Sequence, residues 1–236
     1  MNKRNKISFT IAMLVFLLCM MTGGKVCRAE EITDLSAQKT TGCIETAKSQ
    51  KTYRICVTKT GSVTLKFAPK TGKTGVGWGY DLELYSGNGK KIITYARCRT
   101  ATTRTFYAKK GSYYVVVKAA WSGAAPDADG GYEISALSKT ENVASMKQTV
   151  IHYAKKTRWM KWKKVRGADG YEIQIYPNKR LVAGSAKILT TSENYVKIPK
   201  RLFKGTYYVR IRAYRDCITG EQIYGKFTQV KKIKSK

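Results

Sequence analysis

Two stretches of this chain repeat one phrase, and the phrase fits a β-strand far better than a helix. Gly205-Thr206-Tyr207-Tyr208-Val209-Arg210-Ile211-Arg212-Ala213-Tyr214 opens on glycine and then alternates in character with period two. Tyr208, Arg210, Arg212 and Tyr214 fall on one face, and Tyr207, Val209, Ile211 and Ala213 on the other. Such alternation is the pattern of a half-buried strand, and β-branched and aromatic residues suit a pleated surface. Gly111-Ser112-Tyr113-Tyr114-Val115-Val116-Val117-Lys118-Ala119 is an earlier version of the same phrase. Each copy stands late in a block of short alternating runs separated by turn residues. The pattern predicts an all-β chain: two tandem β-sandwich domains behind a cleaved signal peptide.

The leader is read from residues 1–29. Lys3, Arg4 and Lys6 form a basic start, Ile7 to Met21 is an apolar run, and Cys27-Arg28-Ala29 places small residues at the −3 and −1 positions. That is the layout of a secretory signal, with cleavage expected near Ala29–Glu30. The run is short for a retained membrane anchor, which needs about 20 apolar residues. The expected localisation is therefore extracellular, with association to the cell surface. Four cysteines remain after cleavage: Cys43, Cys56, Cys98 and Cys217. Export permits disulfides. Cys56 shares the outward face of Arg54 and Thr58, so a bridge to Cys43 or Cys98 and a set of reduced thiols both remain open.

The first block spans residues 30–138. Residues 30–50 read as a polar leader with at most one edge strand. Strands are expected at Thr52–Thr58 and Val63–Phe67, joined as a hairpin through Lys59-Thr60-Gly61-Ser62. Tyr80–Tyr85 and Lys90–Arg97 should form a second hairpin around Asn88-Gly89, because both residue types tolerate positive φ. Thr102–Tyr107, the strand after Gly111, and Tyr132–Leu137 complete the block. Its phrases Asp81-Leu82-Glu83-Leu84-Tyr85, Gly111-Ser112-Tyr113-Tyr114-Val115-Val116-Val117 and Gly131-Tyr132-Glu133-Ile134 occur in the order seen in the bacterial pre-peptidase C-terminal domain, which residues 45–138 resemble. The resemblance implies a small β-sandwich appended to secreted proteins, with calcium, carbohydrate or collagen binding in some relatives.

A polar linker is expected over residues 139–146. Seven short runs then fill residues 147–236: Thr149–Tyr153, Arg158–Val165, Gly170–Tyr176, Lys187–Thr191, Tyr195–Ile198, Thr206–Arg215 and Lys226–Ile233. Seven strands in such a length suit an immunoglobulin-like sandwich. Trp162-Lys163-Lys164-Val165, Gly167-Ala168-Asp169-Gly170-Tyr171-Glu172-Ile173, the Gly205 phrase and Tyr224-Gly225-Lys226-Phe227-Thr228 together resemble a fibronectin type III domain. The resemblance implies that Trp162 and Tyr171 fill the core and that Tyr208 buttresses the inter-strand corner.

Charge narrows the partner. The chain carries 45 Lys+Arg against 15 Asp+Glu, a net +30. Residues 147–236 hold 23 against 5, whereas residues 30–146 hold 17 against 10. A surface of this sign attracts polyanions. The expected function is therefore non-enzymatic binding or adhesion: an anionic wall polymer, glycan or extracellular protein held by the sandwich faces and the basic second domain. Non-specific binding of extracellular nucleic acid and service to a secreted hydrolase are the alternatives. Candidate ligand residues are the loop aromatics Trp78, Tyr80 and Trp121 and the strand cations Lys161, Lys163, Arg210, Arg212 and Lys226. Asp127 and Asp129 are calcium candidates, with Asp81 or Glu83 converging on them; no other cofactor is indicated. Catalysis is not expected. The sole histidine, His152, falls on a probable strand, and no nucleophile stands in a recognisable setting. Gly72-Lys73-Thr74 lacks the upstream glycine of a phosphate-binding loop.

Overall fold

The structure is a computed structural model and describes residues 32–70, 79–120, 131–182, 184–199 and 205–234. The expected signal peptide, residues 1–29, lies outside them. The chain divides into two compact units between Thr140 and Glu141. Among the described residues every regular element is a β-strand, and no helix is long and apolar enough to cross a membrane.

The first unit contains β1 (Thr33–Leu35), β2 (Thr40–Cys43), β3 (Gln50–Val57), β4 (Gly61–Pro69), β5 (Tyr80–Ser86), β6 (Lys91–Cys98), β7 (Thr102–Ala108), β8 (Gly111–Ala119) and β9 (Gly131–Thr140). They form two layers, ordered β1-β3-β8-β5-β6 and β2-β9-β4-β7. Alternate residues of both layers meet inside: Tyr53, Ile55, Leu82, Leu84, Val115 and Val117 from one, Val63, Leu65, Phe67, Tyr132 and Ile134 from the other, all essentially buried. Tyrosine is costly in such a core unless its hydroxyl is bonded. The hydroxyls of Tyr53 and Tyr132 satisfy one another at 2.7 Å across the layers.

Three expectations change here. Residues 30–50 are not a patternless leader: β1 pairs in parallel with β3, β2 pairs with β9, and Leu35 and Ile44 are buried. Two isolated apolar residues among polar ones gave no periodic signal. The turn at Lys59–Ser62 does not close a hairpin. It carries the chain between layers, since β3 pairs with β8 while β4 lies between β9 and β7. Val57 and Val63 both face the core, which the crossing permits. The β5–β6 hairpin does form, but only Gly89 takes positive φ, at 82°. The four cysteines occur as thiols, with Cys56 exposed and Cys98 buried.

The second unit contains β10 (His152–Ala154), β11 (Trp159–Lys161), β12 (Gly170–Tyr176), β13 (Lys187–Thr191), β14 (Tyr195–Lys197), β15 (Thr206–Asp216), β16 (Gln222–Tyr224) and β17 (Lys231–Lys234). One sheet is β10-β11-β14; the other is β13-β12-β15, with β16 and β17 sharing the far side of β15. The strand expected over Lys226–Ile233 forms only at its end, within β17, and a separate short strand, β16, precedes it. Between the two, Gly225 and Thr228 donate to the carbonyls of Ala213 and Ile211, and Ile211 donates back to the Thr228 hydroxyl at 3.0 Å. A side chain replaces a main-chain acceptor, which no alternation pattern announces.

The core of this unit packs Met160, Trp162, Tyr171, Ile173, Val209 and Ile211. The rings of Trp162 and Tyr171 meet edge to face at 5.2 Å, and the Tyr171 hydroxyl accepts the Val165 amide at 2.8 Å. Tyr208 is not part of this core. It stands half-buried on the outer face of β15, in cross-strand register with Tyr176, while Tyr207 packs inward. Gly205, with φ of 114°, sets that phase and is a position where a side chain would be strained. Gly111, which opens the earlier copy, shows no such backbone.

Residues 139–146 are not a free linker. The first two extend β9, and Met146 is fully buried in the second core with its amide on the Lys226 carbonyl at 3.0 Å. Met146→Ala should therefore lower the unfolding free energy of the second unit by about 2–4 kcal/mol, read by denaturant titration of intrinsic tryptophan fluorescence. A loss below about 0.5 kcal/mol, the ordinary effect of a surface substitution, would return the segment to linker status.

Candidate functional site

The cations singled out from the sequence do not form one patch. Arg210 and Arg212 lie on the outer face of the sheet β13-β12-β15, and Lys161 and Lys163 lie on the outward side of the other sheet. Lys226 is exposed in the interruption between β16 and β17.

The two arginines are engaged. Cross-strand register sets Glu172 opposite Arg212 and Gln174 opposite Arg210. Arg212 donates both Nε and Nη2 to the Glu172 carboxylate at 3.0 Å. Its guanidinium lies 3.7 Å from the Tyr224 ring and 4.7 Å from Phe227. Arg210 stacks on the other side, 4.0 Å from Phe227 and 5.3 Å from Tyr176, and donates to Gln174 and to the Tyr176 hydroxyl. The order is Tyr224, Arg212, Phe227, Arg210, Tyr176. A planar guanidinium can fork onto a carboxylate and stack at the same time. These arginines hold the sheet face together, and their expected availability to ligand is corrected accordingly.

The opposite sheet presents a different surface. Its outward positions form two rows by register: His152, Lys161, Tyr195, and then Ala154, Trp159, Lys197. Their inward neighbours Tyr153, Met160 and Val196 pack on the core. The Trp159 and Tyr195 rings meet edge to face at 5.4 Å, and the Lys197 ammonium stands 5.8 Å from the Trp159 ring. Tyr195 is 40% exposed. The three strands carry no carboxylate in HYA, WMK or YVK. Lys161, Lys163 and Lys197 enter no ion pair among the described residues; in this unit the acceptors Glu172 and Glu141 hold Arg212 and Arg215.

A pocket of about 600 Å³ opens beside this sheet. It is lined by Lys163 and His152 and by the turn that leads into β10, with Ser145, Lys147, Gln148, Thr149 and Val150. The turn is fixed by the Thr149 amide on the Met146 carbonyl at 2.8 Å. His152, Trp159, Tyr195 and Lys197 were not among the sequence candidates. The strand pairing that aligns them is long-range, so only the exposed side of Lys161 hinted at them.

In the first unit Trp78, Trp121, Asp127 and Asp129 lie outside the described residues. Tyr80 is fully buried, not a loop aromatic open to ligand. Its ring packs on Phe67 and Tyr132 at 5.3 and 5.4 Å, and burial pushes its phenol up to about 12. Glu83, proposed to converge on calcium, instead receives Lys118 at 2.6 Å, Lys91 at 3.2 Å and the Tyr85 hydroxyl at 2.7 Å. Burial pushes its carboxyl up, but the hydrogen bonds from Lys118, Tyr85 and Lys91 outweigh this and hold it below the usual glutamate value. Asp81 accepts the Arg97 amide.

The fold defines a two-unit, all-β protein of sandwich-like build. Among solved structures, similarity is found to the pre-peptidase C-terminal domain of a collagenase from Bacillus anthracis, at 18% identity and TM-score 0.37, covering 47% of this chain and 99% of that one. The chicken CNTN1 FN1-FN3 domains match at 15% identity and TM-score 0.35, covering 75% of this chain and 62% of theirs. A beta-1,2-glucanase from Parabacteroides distasonis matches at 9% identity and TM-score 0.28, covering 75% of this chain and 28% of that one. No family model and no curated protein matches the sequence.

Two outcomes follow from these contacts. Arg212→Ala should cost about 3 kcal/mol of stability, because it strands the Glu172 carboxylate in a largely dry site. The pair Glu172→Gln with Arg212→Met should cost less than that single change. Losses that simply add, in a cycle closed with Glu172→Gln and Arg212→Met as single changes, would show the pair to be uncoupled. For Glu83, the folded carboxyl titrates below its unfolded value, so its contribution is present above about pH 4.3 and is lost as pH falls through the folded value. Glu83→Gln should flatten the acid limb of the first unit's melting temperature; an unchanged limb would remove Glu83 from that role.

Proposed function

We propose that this protein is a non-enzymatic binding module, exported and retained at the bacterial surface through an anionic extracellular polymer. The contact is the outer face of the sheet β10-β11-β14. The observation that carries the reading is the pairing of a half-buried Trp159 and an exposed Tyr195, in contact, with lysines that enter no ion pair among the described residues: Lys161 and Lys197 beside the rings in register, and Lys163 two residues beyond Lys161. Exposed aromatic faces pack against the apolar side of sugar rings. Ammonium groups on flexible stems add a summed, orientation-tolerant attraction to anionic substituents.

The separation of roles between the two sheets supports this reading. Arg210 and Arg212 are committed to Glu172, Gln174 and three rings. The lysine sheet has no such internal acceptor on its strands. Single-stranded nucleic acid is the second reading, because the Trp159–Tyr195 pair also offers a platform on which bases stack.

The test is co-sedimentation with purified anionic wall polymer at low and physiological salt. Binding should weaken steeply as the screening length shortens to about 8 Å. The variant Trp159→Ala with Lys161→Gln and Lys197→Gln should bind at least about tenfold more weakly, equivalent to about 1.4 kcal/mol. Retention that ignores salt, or that survives the triple change in a folded protein, rejects the proposal. Single-stranded DNA as competitor decides between the two readings: displacement at equal charge concentration favours the second.

A further inference from the structure

We infer that the pocket beside this face binds a phosphoryl group carried on a sugar or polyol unit. The inference rests on the polymer-binding reading and adds to it what the polymer must carry. Lys147 and Lys163 supply two ammonium groups, His152 an imidazole, and Ser145, Thr149 and Gln148 hydroxyl and amide donors. Among the described residues the lining contains no carboxylate, so an anion entering it meets no described side-chain charge of its own sign.

The kind of cation selects the kind of anion. A planar carboxylate is best matched by the fork of an arginine, and among the described residues no arginine lines this pocket. Lysine is a compact point charge with three donors, and hydroxyls rotate to suit their partner. Donors of these types on several walls fit a tetrahedral oxyanion, whose oxygens point in separate directions. Size extends the argument. A cavity of about 600 Å³ lies in the range that holds a whole small molecule, roughly 300–1,000 Å³. The recess is open to solvent and has room for more than phosphate, so the sugar or polyol that bears the group fits beside it.

Placement joins the pocket to the aromatic face. His152 lines the pocket and is also the first member of the row that continues through Lys161 to Tyr195. A chain with a unit stacked on Tyr195 and Trp159 therefore runs past His152 into the pocket. The main chain that carries the lysines is anchored, while their side chains stand exposed. Lys147 sits on a turn whose Met146 is fully buried and bonded to the Lys226 carbonyl, and its own amide donates to the Ser145 hydroxyl at 3.3 Å. Lys163 follows Trp162, which is locked in the core. Neither lysine enters an ion pair among the described residues.

The experiment compares poly(glycerol phosphate) with polygalacturonate of matched length and charge, by isothermal titration of the full exported chain. The wild type should prefer the phosphate polymer by about tenfold, the range expected for charge-assisted bonds gained in a formed site. Lys147→Gln with Thr149→Val should abolish the preference while leaving salt-dependent binding to both polymers, with an unchanged melting temperature. Equal affinity in the wild type, or a preference that survives the double change, overturns the inference. If neither polymer binds, the polymer-binding reading itself fails. Glycerol 3-phosphate and the diester glycerophosphoglycerol are then used as competitors. Displacement by the first places a chain end in the pocket and displacement by the second a chain interior, and either supports phosphoryl binding. Displacement by neither overturns it.

Discussion

The carboxylate of Glu172 decides how the second unit spends its charge. It is buried on the outer side of β12, and a buried carboxylate without a cation would be strongly destabilising. Register places Arg212 opposite it, and the guanidinium answers with two bonds at 3.0 Å. Once the fork is fixed, the flat faces of the cation are free to stack, and Tyr224 and Phe227 take them. Phe227 can do so because the last strand breaks at Gly225 to Thr228 and lays that residue across β15. The ring then serves Arg210 as well, at 4.0 Å. Each such contact is worth between about 0.5 and 2 kcal/mol, depending on how dry it is. The ladder is thus a cohesive feature of one sheet, and it removes two of the most obvious cations from the list of those a ligand could use.

Of the cations singled out from the sequence, those that remain are lysines, and lysine behaves differently. Its stem lies along apolar surface while the ammonium stays in water, so an exposed strand can carry several without internal partners. On β11 and β14 the stems of Lys161 and Lys197 flank Tyr195 and Trp159. An aromatic pair left partly open in this way is maintained against the hydrophobic tendency to cover it. Isolated exposed apolar residues need no explanation, but two rings in contact, bordered by three cations and no carboxylate on their strands, form a surface with a chemical preference.

The alternation in residues 205–214 specified both the strand and its two faces, and it did so correctly down to the inward Tyr207 and the outward Arg210. Sheet membership was less accessible. Period-two alternation says which way a side chain points relative to its own strand, and nothing about which strand lies beside it. That is why Lys59–Ser62 reads as a hairpin turn and acts as a crossing between layers, and why Tyr80 reads as a loop aromatic and fills a core. The same limit hid the candidate face. His152, Lys161 and Tyr195 are far apart in sequence and become one row only when β11 pairs on both sides. Charge counting located the excess in residues 147–236 but weighed Arg212 and Lys161 alike, since a formal charge carries no record of the partner that neutralises it.

Polymer retention by such a surface does not require a deep site. A single ammonium–anion contact in water is worth under about 1 kcal/mol, and one stacked ring adds a similar amount. A repeating ligand presents the same contact many times, and a dissociated unit is replaced by its neighbour before the chain diffuses away. Affinity then comes from the number of cations that stay unpaired, while selectivity must come from somewhere with shape. In the proposed reading those two demands fall on adjacent ground: the lysine rows of β11 and β14 would supply number, and the turn anchored by Met146, with Lys147 in it, would supply shape. A fold that buried Glu172 against arginine on one sheet could leave the other sheet free to do both.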